Sequence, residues 1–197
     1  DIRYAKEMGC EIKLLGVARC QEDGVEAYVC PMLIPAEHPL ASVNDSYNAV
    51  FVHGDAVGDT MFYGRGAGEL PTASAVAGDV FEVVRNMKAD CCGRVGCTCY
   101  KTLPVKDMAD THNRYFLRLQ VEDRCGVLAE ILEHFAKYQA SVAQIMQKES
   151  KNQDDHLAEV VVITKLVSEG AFFKVKEELE NSASVRKISS MIRVYQK

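Results

Sequence analysis

Residues 114–138, RYFLRLQVEDRCGVLAEILEHFAKY, carry the pattern that predicts the fold of this chain. The first eight alternate in polarity as a β-strand does, and the later residues repeat apolar side chains with the spacing of an amphipathic helix. An acidic turn and Gly126 separate the strand from the helix. The apolar face of the predicted helix consists of Val127, Leu128, Ile131, Leu132 and Phe135.

The residues that follow complete a βαββαβ order. SVAQIMQKE and LAEVVVITKLV are two β-rich runs joined by the polar stretch SKNQDDH. Phe172, Val175 and Leu179 mark a second helix, and SVRKISSMIRVY is a last strand. This order predicts a ferredoxin-like fold, a four-stranded antiparallel sheet with both helices on one face. Such a unit is complete within about 80 residues and can fold as its own domain.

The first part of the chain has mostly strand-like patterns. EIKLLGVARC and VEAYVCPMLI are separated by QEDG, which predicts a strand pair with its turn at Asp23-Gly24. YNAVFVHG and TMFYG are two more strand candidates. The stretch GRGAGELPTASAVAGDVFEVVRN then predicts a helix with Pro71 in its first turn. The apolar face of this helix consists of Ala73, Val76, Ala77, Val80, Phe81 and Val84.

The composition is that of an ordinary globular protein, with 48% hydrophobic and 26% charged residues. The formal net charge is -5 and the charges are interspersed, which leaves no basic stripe for nucleic acid. No segment approaches the roughly 18 consecutive apolar residues that span a bilayer, and the polar start is unlike a signal peptide. We expect a cytoplasmic protein without nucleic-acid or membrane partners. Because Asp1 lies directly in an amphipathic run, we also expect further sequence upstream.

The eight cysteines are predicted to be reduced thiols, because the chain shows no secretory signal. Four of them lie in CCGRVGCTC, where the helical and strand periodicities disappear. Their spacing matches neither two CxxC knuckles nor a zinc ribbon, and the five histidines are scattered. We therefore predict no metal site, although the thiols at Cys91, Cys92, Cys97 and Cys99 could in principle bind zinc.

A glycine cluster, Gly64, Gly66 and Gly68, lies between a predicted strand and the helix that starts near Pro71. Glycines let the backbone approach a ligand closely, and the free N–H groups of a helix start favour an anion. The spacing is GxGxG and not the dinucleotide fingerprint GxGxxG. Two interpretations stay open, a ligand-binding loop or a tight turn whose small neighbours let the helix pack on a sheet.

Residues 40–80, LASVNDSYNAVFVHGDAVGDTMFYGRGAGELPTASAVAGDV, resemble the signature stretch of homoserine dehydrogenases, and residues 1–18 resemble the segment that precedes it. The resemblance implies an NAD(P)-dependent enzyme that interconverts L-homoserine and L-aspartate 4-semialdehyde. It implies that Gly66, Ala67 and Gly68 lie beside the cofactor. It assigns no catalytic residue to this chain, because those of the family lie upstream of Asp1. The chain alone is expected to be inactive.

The segment VEDRCGVLAEI, residues 121–131, resembles the first strand, loop and helix of ACT domains, usually written D-R-P-G-V-L. Cys125 replaces the proline, which removes a fixed φ and loosens the loop. The resemblance implies that this loop receives the carboxylate of an amino acid, which we expect to be L-threonine acting as a feedback inhibitor. The predicted contacts are Asp123, Arg124, Gly126, Val127, Leu128 and, on the second strand, Gln144.

The competing interpretation of this loop is that Asp123 and Arg124 only cap the helix, in a module that only dimerises. ACT domains pair through their sheet edges, so we expect a homodimer or a larger homo-oligomer. The alternative function for the whole chain is a non-catalytic ACT sensor or dimerisation protein that retains a dehydrogenase remnant.

The sequence therefore predicts an α+β protein with three regions. Residues 1–87 form part of a mixed α/β dehydrogenase substrate domain, residues 88–112 a linker, and residues 113–197 a ferredoxin-like ACT domain. The predicted function is that of part of a threonine-regulated homoserine dehydrogenase.

Overall fold

A computed structural model describes residues 1–91, 93, 96–97, 99–148 and 156–196. The chain forms two compact units, residues 1–36 with 103–197, and residues 37–102. The first hairpin packs with the C-terminal strands, so both belong to the larger unit. No helix among the described residues is long and apolar enough to cross a membrane.

The described residues form strands and α-helices, with two short 3-10 helices at Pro39–Ser42 and Met108–Asp110. In chain order they are α1 (Ile2–Glu7), β1 (Cys10–Gln21), β2 (Gly24–Pro35), β3 (Tyr47–Gly54), β4 (Gly58–Arg65), α2 (Glu69–Lys88), β5 (His112–Glu122), α3 (Val127–Lys137), β6 (Val142–Lys148), β7 (Leu157–Thr164), β8 (Val167–Ser168), α4 (Glu169–Asn181) and β9 (Val185–Val194).

The larger unit is built on one sheet with the strand order β1-β2-β9-β5-β7-β6, and the short β8 pairs with the start of β5. The strands β9, β5, β7 and β6 pair antiparallel in the ferredoxin-like order. The predicted βαββαβ plan and the α+β fold class are therefore confirmed.

The predicted strand pair at the start of the chain is present as β1 and β2, but the two turn residues are Glu22 and Asp23 instead of the predicted Asp23-Gly24, because Gly24 already pairs with Gln21. A side chain on Gly24 would place its Cβ 2.7 Å from the carbonyl oxygen of Pro104, and its φ is +150°, so glycine is required there. The hairpin continues the C-terminal sheet, because Met32 and Leu33 pair in parallel with Arg193 and Val194. The sequence patterns did not predict this parallel junction.

Both faces of the sheet are covered. Successive side chains of a strand point to opposite faces, so β5 and β7 contribute to two separate cores. The core on the helix face includes Tyr115, Leu117, Leu119, Val160, Val162, Ile131, Phe135, Phe172 and Val175. The core on the opposite face, where α1 packs, consists of Tyr4, Ala5, Leu33, Phe116, Val161 and Ile163.

The smaller unit consists of the β3–β4 hairpin and the 20-residue helix α2. Pro71 lies in the first turn of α2, as predicted. The predicted apolar face of α2 is not covered, however, because no residue of this helix is buried in the part of the chain that the structure describes. Phe81, for example, is 64% exposed.

A buried ion pair between β9 and α4 lies against Tyr28 of the hairpin. Arg193 donates from Nη2 to both carboxylate oxygens of Glu169, at 2.6 and 2.7 Å, and the hydroxyl of Tyr115 donates to Oε2 at 3.1 Å. The Arg193 guanidinium also lies over the ring of Tyr28, 4.9 Å from its centroid, and the Tyr28 hydroxyl donates to Asn113 at 3.1 Å. Burial lowers the pKa of Arg193, but the hydrogen bonds to Glu169 and Cys30 and the charge of Glu169 together outweigh burial, so the pKa is raised and the charge is retained.

We expect the substitution Glu169→Gln to lower the free energy of unfolding by about 3 kcal/mol, because it leaves Arg193 without its counter-charge in a largely buried position. The measurement is urea unfolding monitored by circular dichroism. The matched control is Glu180→Gln, which breaks an exposed Lys176–Glu180 pair at 2.7 Å and should cost less than about 0.5 kcal/mol. Equal effects of the two substitutions would contradict this assignment.

Candidate functional site

The loop between β5 and α3 presents free backbone N–H groups. Gly126 is the N-cap of α3, with φ 94° and ψ -18°, a left-handed conformation that glycine adopts without strain. The first intrahelical bond runs from the Glu130 N–H to the Gly126 carbonyl, at 3.1 Å. The N–H groups of Leu128 and Ala129 precede this first intrahelical donor, so they have no acceptor within the helix and can receive an anion.

A cavity of about 460 Å³ lies at this helix start. Five of the six predicted contact residues line it: Asp123, Arg124, Gly126, Val127 and Leu128. Its other lining residues are Val121, Glu122, Cys125, Ala129, Gln147 and Val160.

The sixth predicted residue, Gln144, is not among the residues that line the cavity, whereas Gln147 is. The two lie three positions apart on β6, and side chains an odd number of positions apart point to opposite faces of a strand. Gln147 shares the helix face with Ile145, which packs against the core on that face.

The guanidinium of Arg124 is occupied by contacts within the protein. Nε donates to Glu122 at 3.0 Å, while Nη1 and Nη2 each donate to Glu130 at 2.9 Å. Nη2 also donates to the hydroxyl of Ser184 at 2.8 Å. Arg124 therefore holds the loop against the first turn of α3, and the backbone amides are the free donors of the cavity. The helix has no side-chain N-cap, so the capping interpretation does not describe Arg124.

The remaining lining groups give the cavity a mixed character. Asp123 supplies an exposed carboxylate, and its N–H is fixed by a bond to the His156 carbonyl at 2.8 Å. Val127 and Val160 supply buried apolar surface, and Gln147 supplies a neutral amide. The backbone amides can bind an anion, and the carboxylate can bind a cation. Together with the small apolar wall, these groups suit a small zwitterion.

The glycine cluster shows two different constraints. A Cβ on Gly66 would lie 2.1 Å from Nδ2 of Asn48, so the absence of a side chain allows the close approach of Asn48. Gly68 has φ 122° and is the N-cap of α2, with no side-chain cap. Ala67 and Gly68 are exposed, so the first amides of α2 can be approached from solvent. These features suit a ligand that approaches at Gly68.

The cysteine cluster is only partly described. Cys91, Cys97 and Cys99 carry free thiols, and Cys92 lies outside the described residues. Over the described ranges, no group of three or more histidine, cysteine, aspartate or glutamate residues is arranged to hold a metal ion.

The fold is a ferredoxin-like module that has a cavity at the start of α3 and shares its sheet with a hairpin from the N-terminal part of the chain. The model of the homoserine dehydrogenase family matches residues 1–81, and the model of the ACT domain matches residues 115–183. Homoserine dehydrogenase of Bacillus subtilis is 37% identical over 196 residues, which are 98% of this chain and 45% of that protein. That of Corynebacterium glutamicum is 42% identical over 200 residues, 98% of this chain and 44% of the relative.

A crystal structure of a homoserine dehydrogenase from Thiobacillus denitrificans superimposes with a TM-score of 0.88 at 37% identity, covering 100% of this chain and 45% of that one. The chain thus spans a little under half the length of these relatives and corresponds to their C-terminal part. It belongs to the homoserine dehydrogenase family and contains an ACT domain.

The contacts of Arg124 with Glu130 predict a pH-dependent stability. Hydrogen bonds from Arg124 and Ser184 lower the pKa of Glu130. The stabilisation is therefore fully present above the ordinary pKa range of a glutamate, and it is lost as the pH falls through the lowered value. We expect Glu130→Gln to reduce the melting temperature at neutral pH and to have a smaller effect in acid. Thermal unfolding across pH measures this, with Glu133→Gln, an exposed change on the same helix, as the control. A constant difference at all pH values would exclude the interpretation.

Proposed function

We propose that this chain is part of an NAD(P)-dependent homoserine dehydrogenase, which interconverts L-homoserine and L-aspartate 4-semialdehyde, and that its ACT domain binds L-threonine as a feedback inhibitor. The enzyme assignment is supported by the family match over residues 1–81, which includes the GRGAGELPTASAV stretch. The regulatory assignment is carried by the cavity at the start of α3, where five predicted contact residues meet.

The contribution of this chain to the reaction would be the loop at the start of α2. Alcohol oxidation needs a base for the hydroxyl proton and a nicotinamide that accepts the hydride. Gly66, Ala67 and Gly68 are the residues that we propose to lie against the cofactor. Gly68 and the first amides of α2 would receive a polar group of the cofactor, because this end of the helix carries partial positive charge.

In the ACT cavity, the amides of Leu128 and Ala129 would receive the carboxylate of threonine. Asp123 would lie on the side of the ammonium group, and Gln147 would hydrogen-bond a polar side chain such as the threonine hydroxyl. The apolar surface of Val127 and Val160 would accommodate the threonine methyl group. This set of groups favours a small amino acid with a short polar side chain over a large or purely apolar one.

The sheet also supports the proposed homo-oligomer. β6 lies at the edge of the sheet, and β7 is its one partner among the described strands. Its outer N–H and C=O groups can therefore pair with a second copy, as ACT domains do through their edges. This would place a second copy beside Gln147.

The cofactor assignment is tested with the substitution Gly68→Ala in the natural full-length enzyme. We expect the KM for NAD(P) to rise about tenfold, because the new side chain strains a φ of 122° and narrows the approach to the first amides of α2. The control is Gly58→Ala, which has a φ of 71° in the hairpin of the same unit and open space around its Cβ. Equal effects of the two substitutions on KM would show that backbone strain alone raises KM. Gly68 would then not belong to the cofactor site.

The effector assignment is tested by calorimetric titration of the chain with L-threonine. We expect Gln147→Leu to weaken binding about tenfold, which is the loss of one hydrogen bond. Gln144→Leu distinguishes the two candidate contacts. If this variant loses more threonine affinity than Gln147→Leu, Gln144 is the residue that contacts the ligand. Gln120→Leu on the exposed side of β5 is the matched control. If the unmodified chain binds no threonine at millimolar concentration, the effector assignment fails.

A further inference from the structure

At one point of the sheet, β6 and β7 have different neighbours on their two faces. One face lines the cavity, and α1 packs on the other. Gln147 pairs with Val160 across the two strands, and both residues line the cavity. The next pair in the register is Lys148 with Glu159. Because consecutive residues of a strand point to opposite faces, this second pair lies on the face where α1 packs.

Lys148 and Glu159 are the polar groups that hold α1. The hydroxyl of Tyr4 donates to Oε1 of Glu159 at 2.5 Å. Lys148 forms an ion pair with Glu7, and its Nζ lies 4.7 Å from the centroid of the Tyr4 ring. Both residues that bind α1 are therefore sequence neighbours of residues that line the cavity.

Arg118 also holds α1 on the sheet. Arg118 donates from Nη1 to Glu159 at 2.6 Å and from Nε to Asp1 at 2.8 Å, which is the N-cap residue of α1. Burial and the hydrogen bond with Glu159 raise the pKa of Tyr4 to about 12, so its hydroxyl stays protonated and remains a donor at neutral pH. Glu159 thus accepts from two donors on this face of the sheet.

Two side chains of α1 pack on this face of the sheet. Tyr4 and Ala5 are buried there together with Leu33, Phe116, Val161 and Ile163, so α1 is attached by apolar packing as well as by polar contacts.

We propose that the ACT cavity and α1 are coupled through the pairs Gln147–Val160 and Lys148–Glu159, so that an amino-acid effector in the cavity strengthens the docking of α1. The inference rests on the proposed effector site and adds its route of regulation. A ligand that bridges the α3 loop and Gln147 restrains β6 and β7 in the arrangement that presents Lys148 and Glu159 to α1. α1 belongs to the segment that matches the dehydrogenase family, so the coupling connects effector binding to that segment.

Coupling between two sites is reciprocal, which provides two measurements. In the unmodified chain, saturating L-threonine should slow hydrogen exchange of the Ala5, Met8 and Gly9 amides at least about fivefold. These amides donate to the carbonyls of Asp1, Tyr4 and Lys6 at 2.8 to 3.0 Å, so their exchange reports the docking of α1.

The test variant is Tyr4→Phe, which removes the hydroxyl and keeps the buried ring. We expect threonine to bind it about fivefold more weakly by calorimetry, and the amides of Leu128 and Ala129 to exchange faster even without ligand. The matched control is Tyr138→Phe, which removes another tyrosine–glutamate hydrogen bond, to Glu178 at 2.9 Å, away from α1. This control should leave threonine affinity and the protection of α1 unchanged.

The outcomes separate this inference from the effector assignment. If threonine binds but leaves exchange of α1 unchanged, the coupling is wrong and the effector site stands. If threonine does not bind, the effector assignment fails and its regulatory route fails with it. If Tyr4→Phe leaves exchange of the cavity loop unchanged without ligand, the sheet does not transmit between its faces, whatever the ligand is.

Discussion

The larger unit depends on one constraint, which is that β5 and β7 bury both of their faces. Phe116, Leu117, Val160 and Val161 have no exposed surface, although neighbouring residues point to opposite sides of the sheet. Burying each such side chain contributes about 1.5–3 kcal/mol, so leaving either face in water would cost several kcal/mol. The helices α3 and α4 cover one face, and α1 with the first hairpin covers the other. Residues 1–36 therefore form one compact unit with the ACT strands.

The pairing of Glu169 with Arg193 adds specificity to that arrangement. Arg193 lies opposite Met32 in the parallel pairing of β2 with β9, and its charge is held by Glu169 at the start of α4. A register slip of the hairpin would move Tyr28 away from Arg193 and would leave polar groups without partners in a buried position. Apolar packing alone supplies no such penalty, because many slipped registers still bury apolar surface.

Consecutive side chains of β6 and β7 point to opposite faces of the sheet, so the ACT cavity lies on one face and α1 packs on the other. The sequence resemblance predicted six ligand contacts, and five of them, Arg124 included, line one cavity in the structure. In the structure this guanidinium binds Glu122, Glu130 and Ser184, and the free donors are backbone amides. Glu122 and Glu130 lie two and six positions from Arg124, whereas Ser184 lies 60 positions away, so local sequence could not reveal this last partner.

The sequence by itself determined the elements whose information is local. Periodicity and turn residues a few positions apart predict these elements. They are the βαββαβ order, the hairpin turn before Gly24, the helix with Pro71 in its first turn and the loop at Gly126. Only the tertiary structure decided the junction of β2 with β9, the choice of Gln147 over Gln144 at the cavity, and the absence of a covering element over the apolar face of α2 among the described residues. These features depend on contacts between distant parts of the chain, such as Tyr4 with Glu159 across 155 positions. Apolar periodicity specifies that a face can be buried, but its partner is set by how all the faces pack together.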